Sequence, residues 1–256
     1  MLTTIETTPV IRRYSSEILY FREEGWMSKF EIILKEWQVA AAQLAENPWV
    51  KRLEKGDLKL CHYKGYLQET YHHAGVNPQI QAYTTMFFKN NPRNTIRKFY
   101  KHAISEIGHD LLALNDLVAL GENKEMILAT EPLPITLAYN SFVLNLVQFH
   151  NPVSYLGYLF HLEFLPTQNG PKYIHQLEKL GVPKEALTFL EEHATVDVAH
   201  NKLMEEYVEE LISTERDLQD VIWAAKSSVP IHSHMISDAF ENGERIYGGT
   251  KNLKAG

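Results

Sequence analysis

The sequence predicts an all-α fold in a single domain, and three observations support that prediction. Apolar residues recur at intervals of three and four over long stretches, which is the period of a helix with one buried face. Sustained period-two alternation is absent, and no Asn-Gly or Asp-Gly pair lies between β-branched runs. The 256 residues, 45% of them hydrophobic, are enough for one large helical core. We expect an N-terminal arm over residues 1–13, the helical domain over 14–247 and a polar tail over 248–256.

Proline and glycine mark the expected helix boundaries in the first half of the chain. Ser28 begins a helix with the three-and-four apolar period, and Asn47-Pro48 ends it. Asp57, which follows Gly56, is the expected N-cap of a later helix, and Gly121 is the expected C-terminal cap of a long one. The helices expected in this half cover residues 28–46, 50–55, 57–73, 77–89 and 92–121.

Prolines also mark the expected helix boundaries in the second half of the chain. Pro134 opens a helix. A very apolar helix is expected to end at Pro166, because proline lacks a backbone donor and clashes with the preceding turn. Pro230 is expected to break or kink the helix that Ser213 or Thr214 caps. The helices expected in this half cover residues 134–149, 154–165, 173–180, 184–212, 214–227 and 231–246.

Composition points to a small-molecule partner and a reducing compartment. A formal net charge of −7 and a pI near 5.9 argue against nucleic acid or an anionic membrane surface as the main partner, because both attract basic patches. The single cysteine, Cys61, excludes an intramolecular disulfide and any zinc-finger spacing. No signal-peptide core is visible, and no run approaches the roughly 18 apolar residues of a membrane span. We therefore expect a soluble cytoplasmic protein.

The segment HATVDVAH places three metal-competent side chains on one face of a helix. At 100° per residue, His193, Asp197 and His200 fall within an arc of roughly 60° and span about 10 Å of helix axis. Two histidines this far apart are awkward ligands for one ion. They suit two ions about 3.5–4 Å apart with the aspartate between them. The segment therefore predicts a two-metal site.

Further ligands are expected where a carboxylate and an imidazole are three residues apart on a helix. Glu106 and His109 have this spacing, as do Asp197 and His200. With 32 acidic residues and 12 histidines, chance alone gives about 1.5 such pairs, and Glu69 with His72 is a third. The motif therefore needs support from its context. Glu69 and His72 are expected to form a surface pair or to orient a ligand, with direct binding as the alternative.

Glu163 supplies that context because it lies in the most apolar predicted helix. Burial of an unpaired carboxylate there would cost several kcal/mol, so it is expected to pair with a cation. With Glu106, Glu163 and Asp197 ionised and the three histidines neutral, two divalent ions leave one net positive charge. His102 is expected to be an ordinary core or surface histidine.

The ordered set Glu106-x-x-His109, Glu163 and His193-x-x-x-Asp197-x-x-His200 resembles the haem-oxygenase-like di-iron oxidases and oxygenases. The resemblance spans about residues 25–215 and includes all six ligand positions of that family. This pattern of ligands identifies the family, but it does not identify the substrate. The resemblance implies a haem-oxygenase-like helical bundle that forms a homodimer and binds two Fe²⁺ ions, with manganese as the alternative metal.

The resemblance also implies an activity and a division of the ligands. The expected activity is oxidation of a small carboxylate or amine, of amino-acid or fatty-acid type, by dioxygen. Oxidative C–C or C–N cleavage, desaturation and N-oxygenation all occur in the family, and an external reductant is a candidate partner. Glu106 and Glu163 would be shared between the ions, with His109 and His193 on one ion and Asp197 and His200 on the other. No protein nucleophile is implied.

Two alternative classes remain open at the level of sequence. One is a metal-free enzyme of the same fold, either thiaminase-like or quinone-synthase-like. Cys61 lies too early in the chain to match a thiaminase nucleophile. The other is a non-catalytic protein that uses an interior cavity to hold a ligand or a partner helix.

Overall fold

The computed structural model describes residues 11–14, 17–22, 25–90 and 92–249, with their side chains except at 11–26 and 195–201. Helices make up most of these residues and pack into one domain, so the expected all-α class is confirmed. No helix in the described ranges is both long and apolar enough to cross a membrane. The α-helices are α1 Lys29–Ala41, α2 Pro48–Glu54, α3 Leu60–Ala74, α4 Asn77–Thr84, α5 Arg93–Glu106, α6 His109–Ala119, α7 Lys124–Leu128, α8 Pro134–Phe149, α9 Tyr155–Lys179, α10 Thr188–Leu211 and α11 Glu215–Tyr247. Short 3₁₀ segments cover Ala42–Glu46, Thr85–Phe87, Pro152–Ser154 and Lys184–Ala186.

Side-chain caps define the starts of several helices. The Ser28 hydroxyl accepts a hydrogen bond from the backbone N–H of Glu31, whose carboxylate accepts one from the Ser28 N–H. Thr214 and Asp217 form the same reciprocal pair at the start of α11. The Asn47 side chain accepts hydrogen bonds from the first backbone N–H groups of α2. These caps satisfy donors that no intrahelical carbonyl can reach.

Glycines let α11, the longest helix described, lie close against α3 and α9. A Cβ added at Gly65 of α3 would lie 2.1 Å from the carbonyl oxygen of Ala239 and 2.7 Å from the Cα of Gly243. A Cβ added at Gly157 of α9 would lie 2.2 Å from the carbonyl oxygen of Val221. Because only glycine fits at such backbone approaches, these positions place α11 between α3 and α9.

The buried apolar side chains form two clusters. The larger lies mainly among α1, α8, α9, α10 and α11 and includes Trp37 and Phe160, both fully buried. The smaller lies mainly among α3, α6 and the regions around the start of α10, and includes Leu67 and Leu114. Residues of both clusters line a cavity that adjoins the site described below.

A small antiparallel sheet precedes the helices and was not expected from the sequence. Strand β1 Ile11–Tyr14 pairs with β2 Glu17–Arg22, which pairs with β3 Gly25–Met27. Strands of three to six residues are too short to establish a clear period-two pattern. The expectation of a chain without strands is therefore wrong at this end. Residues 1–10 of the expected arm and 250–256 of the expected tail lie outside the described residues.

Proline ends fewer helices than expected. Helix α9 continues through Pro166 and Pro171, and α11 continues through Pro230. Each proline removes one backbone hydrogen bond, but both helices bury long apolar faces whose packing offsets that loss. Conversely, the helix expected over 92–121 is interrupted at Gly108, where α5 has ended and α6 begins.

Candidate metal centre

Four helices bring carboxylates and imidazoles together in the interior. Helix α5 ends at Glu106, α6 begins at His109, and α9 and α10 contribute Glu163 and His193. Glu106 and Glu163 are only 9% and 5% exposed, and His102, one turn before Glu106, is 2% exposed. Two buried carboxylates require compensating positive charge, so their burial points to a cation at this position.

The motif Glu106-x-x-His109 does not lie on a continuous helix, contrary to the prediction. Ile107 is extended, with φ −66° and ψ 119°, and Gly108 has φ +98°, a left-handed conformation that glycine adopts readily. The chain turns between the two motif residues, yet Nδ1 of His109 lies 3.1 Å from Oε2 of Glu106. The predicted contact is present, but a turn produces it and not a shared helical face.

The potential ligand atoms form two groups that share Glu106. One group is Glu106, His109 and His193, the other is His102, Glu106 and Glu163, and within each the atoms lie within 4.8 Å of one another. Nδ1 of His109 lies 3.2 Å from Nε2 of His193, while Nε2 of His102 lies 3.0 Å from Oε1 of Glu163. Glu106 directs Oε2 to His109 and Oε1 to His102, the latter at 3.7 Å. A carboxylate placed in this way is suited to bridging two ions.

Hydrogen bonding prepares His193 to bind a metal through Nε2. Its Nδ1 lies 2.7 Å from the carbonyl oxygen of Phe189, which can only accept, so Nδ1 carries the proton. Burial lowers the pKa of His193 and favours the neutral ring, which leaves a lone pair on Nε2. Metal-binding imidazoles commonly have their second nitrogen fixed by a carbonyl in this way.

The structure adds one residue to the predicted set and leaves two undescribed. His102, expected to be an ordinary histidine, lies in the cluster. Its position four residues before Glu106 places both side chains on one helical face, and that spacing was visible in the sequence. The side chains of Asp197 and His200 lie outside the described residues, although the backbone of α10 runs through both positions.

The third Glu-x-x-His pair lies away from this cluster. Oε2 of Glu69 accepts hydrogen bonds from the backbone N–H of Leu133, at 2.9 Å, and from the Thr136 hydroxyl, at 2.5 Å. Nε2 of His72 lies 2.9 Å from the Thr130 hydroxyl oxygen. Burial raises the pKa of the Glu69 carboxyl. Glu69 is therefore a buried residue that holds the start of α8, and it has none of the three roles expected for it.

A cavity of about 170 Å³ adjoins the cluster. Glu106, Glu163 and His193 form part of its wall, and Cys61 is not among the described residues that line it. An engineered apolar cavity of about 150 Å³ holds one benzene molecule, so this cavity suits a small organic molecule. Apolar side chains dominate the rest of the wall, among them Leu53, Leu58, Leu177, Phe189, Met235 and Phe240.

All of the clustered residues lie within a segment that matches a known protein family. A family model with the description iron-containing redox enzyme matches residues 64–231. Because the match covers more than half of the chain, the chain belongs to this family. The family resemblance stated from the sequence is therefore confirmed. No curated protein matches the chain.

Solved structures show the same fold at low sequence identity. A domain of unknown function with a heme oxygenase-like fold from Shewanella denitrificans OS217 has a TM-score of 0.75 at 23% identity, covering 90% of this chain and 99% of that chain. A TenA homolog from Pseudomonas syringae pv. tomato has a TM-score of 0.70 at 11% identity, covering 91% and 100%. A TenA homologue from P. horikoshii OT3 has a TM-score of 0.65 at 15% identity, covering 83% and 98%. The haem-oxygenase-like fold is thereby confirmed.

Proposed function

We propose that this chain is a non-haem di-iron oxygenase or oxidase that uses dioxygen to oxidise a small organic molecule held in the cavity. The proposal depends above all on Glu106, whose two carboxylate oxygens face different groups of potential ligands. Paired metal ions about 3.5–4 Å apart are a common catalytic arrangement, and carboxylates from helical bundles hold them. Membership in a family described as iron-containing redox enzymes supports iron as the metal.

The donor set suits two ferrous ions. Carboxylate oxygens together with imidazole nitrogens are ligands that Fe²⁺ and Mn²⁺ both accept. Glu106, His109 and His193 would hold one ion, and Glu106 and Glu163 would hold the other. The sequence predicts Asp197 and His200, whose positions lie on α10, as the remaining ligands of the second ion. His102 would either bind that ion or hold the Glu163 carboxylate in position.

When bound, two ferrous ions would supply electrons for dioxygen reduction. The chain itself would bind the substrate beside Glu106 and Glu163 and exclude bulk water from them. Because most of the cavity wall is apolar, a substrate with an apolar body gains free energy on entering. The apolar wall and the buried carboxylates together favour a small, largely apolar molecule whose reactive end faces the cluster.

Anaerobic reconstitution tests the proposal directly. The full-length chain is incubated with excess Fe²⁺, unbound metal is removed, and bound iron is counted before exposure to dioxygen. We expect close to two irons per chain, a change in the visible spectrum and measurable oxygen consumption. A parallel sample with Mn²⁺ distinguishes the two candidate metals by the oxygen that each consumes.

Two variants test the ligands and one serves as a control. Glu106→Gln should reduce bound iron to below one per chain, because both ions would lose a shared ligand. Asp197→Ala should abolish or halve iron loading while the circular dichroism stays helical. Glu125→Gln removes an exposed carboxylate from α7 and should bind iron like the wild type.

Two outcomes would contradict the proposal. Unchanged iron loading in Glu106→Gln would show that the shared carboxylate does not bind metal. A wild-type chain that binds no iron and consumes no oxygen would favour a metal-free enzyme of this fold or a ligand-binding protein.

A further inference from the structure

Three aromatic rings form a buried hydrogen-bonded row that ends at the cavity. The indole Nε1 of Trp37 lies 3.1 Å from Nδ1 of His161, and Nε2 of His161 lies 2.9 Å from Nδ1 of His232. Trp37 and His161 are fully buried, and His232 is 9% exposed. Of the three residues, only His232 lines the cavity. The row therefore links the core between α1 and α9 to the cavity wall on α11.

The donor that begins the row determines where every later proton lies. An indole N–H can only donate, so Nδ1 of His161 must accept and carries no proton. The proton of His161 then lies on Nε2 and is donated to Nδ1 of His232. Since Nδ1 of His232 accepts, this ring is neutral as well and carries its proton on Nε2. The geometry thus makes Nε2 of His232 an N–H donor.

This N–H donor is available to a molecule in the cavity. Within the described part of the chain, the only hydrogen bond of the His232 ring is the one between its Nδ1 and His161, so Nε2 has no partner there. A buried N–H without an acceptor is unfavourable, so an acceptor in the cavity would be bound. Burial also lowers the pKa of His232 well below its ordinary value, which agrees with a neutral ring.

Asn77 presents a second donor in the same wall. Its Oδ1 accepts a hydrogen bond from the Tyr155 hydroxyl, at 3.4 Å, and lies 3.2 Å from the Tyr158 hydroxyl, which also lies 3.1 Å from Nε2 of His73. Its NH₂ group has no partner among the described residues, and Asn77 lines the cavity. The described wall contains neither lysine nor arginine. His232 and Asn77 are therefore two uncharged donors in the described wall.

We propose that His232 binds an uncharged acceptor oxygen of the substrate, such as a carbonyl, amide or hydroxyl oxygen, through its Nε2–H. This inference rests on the proposed function in taking the cavity as the substrate site. It narrows the substrate to an apolar molecule with a neutral oxygen function that faces His232. An ammonium group at that position would place donor against donor, and a carboxylate would lack a compensating cation.

Tautomer measurement and probe binding test the proposal without oxidative turnover. Full-length chain with ¹⁵N-labelled histidine, studied alone and with redox-inert Zn²⁺, should show the Nε2–H tautomer for His161 and His232. Benzamide should bind 3- to 10-fold more tightly than toluene, as one neutral hydrogen bond implies, and should shift the His232 Nε2–H resonance. In the Zn²⁺-loaded chain, where the metal already compensates Glu106 and Glu163, benzylamine should bind no better than toluene. Because no iron or dioxygen is present, the result is independent of whether the chain is a di-iron enzyme.

Variants separate hydrogen bonding from packing. His232→Leu should abolish the preference for benzamide over toluene, and His232→Gln, which keeps an N–H donor, should restore part of it. Trp37→Phe removes the N–H donor that begins the row but keeps both histidines. It should give a mixture of Nδ1–H and Nε2–H tautomers at His161 and His232. An Nδ1–H tautomer at His232, no binding of benzamide by the wild type, or an unchanged benzamide preference in His232→Leu would overturn the proposal.

Discussion

Nδ1 of His109 lies 3.1 Å from Oε2 of Glu106, although the two residues belong to different helices. The intervening Gly108, with φ +98°, allows the chain to turn sharply enough for this contact. The relationship makes the proposed metal centre depend on a backbone conformation that few other residues adopt. The spacing of three residues predicted this contact from a shared helical face, whereas the turn at Gly108 produces it in the structure.

Substitution of Gly108 should separate metal binding from stability. Gly108→Ala forces a Cβ into the left-handed region and should reduce the free energy of unfolding by about 1–2 kcal/mol. Gly121 is a matched control because its φ is +87° and no atom lies within 4 Å of a Cβ built at either glycine. Both variants should lose similar stability in chemical denaturation, but only Gly108→Ala should lose affinity for Zn²⁺ in calorimetry. Wild-type Zn²⁺ affinity in Gly108→Ala would show that the turn is not needed for binding.

His102 should contribute to metal affinity although the sequence did not single it out. Because its Nε2 lies 3.0 Å from Oε1 of Glu163, His102→Gln should weaken Fe²⁺ or Zn²⁺ binding by about 10- to 100-fold. His175→Gln, at an exposed position of α9, is the control and should bind normally. Equal metal affinities in the two variants would assign His102 a packing role.

His73 should make the fold less stable in mild acid. Burial lowers its pKa from 6.5 to about 4, and Asn140 opposes part of that shift through a hydrogen bond. As pH falls below 6.5, the unfolded chain takes up a proton before the folded chain does. The free energy of unfolding therefore has its full value above pH 6.5. It falls between pH 6.5 and about pH 4, by up to about 1.4 kcal/mol per pH unit.

The variant His73→Phe tests this assignment while keeping a ring stacked on Tyr139, whose centroid is 4.8 Å away. Urea denaturation between pH 4.5 and 7.5 should give a shallower pH dependence of the unfolding free energy than in the wild type, by up to about 1.4 kcal/mol per unit. If the unfolding free energies of the two proteins depend on pH in the same way, His73 does not have the lowered pKa that its burial implies.

The crossing of α3 and α11 should tolerate no side chain at Gly65. A Cβ there would lie 2.1 Å from the carbonyl oxygen of Ala239, and backbone atoms cannot move aside as a flexible side chain can. Gly65→Ala should therefore cost about 1–3 kcal/mol or more in unfolding free energy. Gly249→Ala, where no atom lies within 4 Å of the new Cβ, should leave the melting temperature nearly unchanged. A similar melting temperature for both variants would contradict the close packing of the two helices.

The sequence by itself determined the features that depend on near neighbours. The helical class followed from apolar residues three and four positions apart, and the helix start at Ser28 and the cap at Thr214 followed from residues within one turn. Glu163 drew attention because its immediate neighbours are apolar, and its burial at 5% exposure agrees with that inference. All of these signals lie within a few residues of the position that they describe.

Tertiary structure alone decided the features that depend on distant residues. Helix α9 passes through Pro166 because packing along its apolar face outweighs a local preference. Trp37 sets the tautomer of His161 from 124 residues away, and no local pattern encodes that contact. The cavity likewise arises only when α3, α9 and α11 pack together. Local periodicity therefore predicted the helices. Long-range packing placed Glu106 between two groups of potential ligands and His232 in the cavity wall.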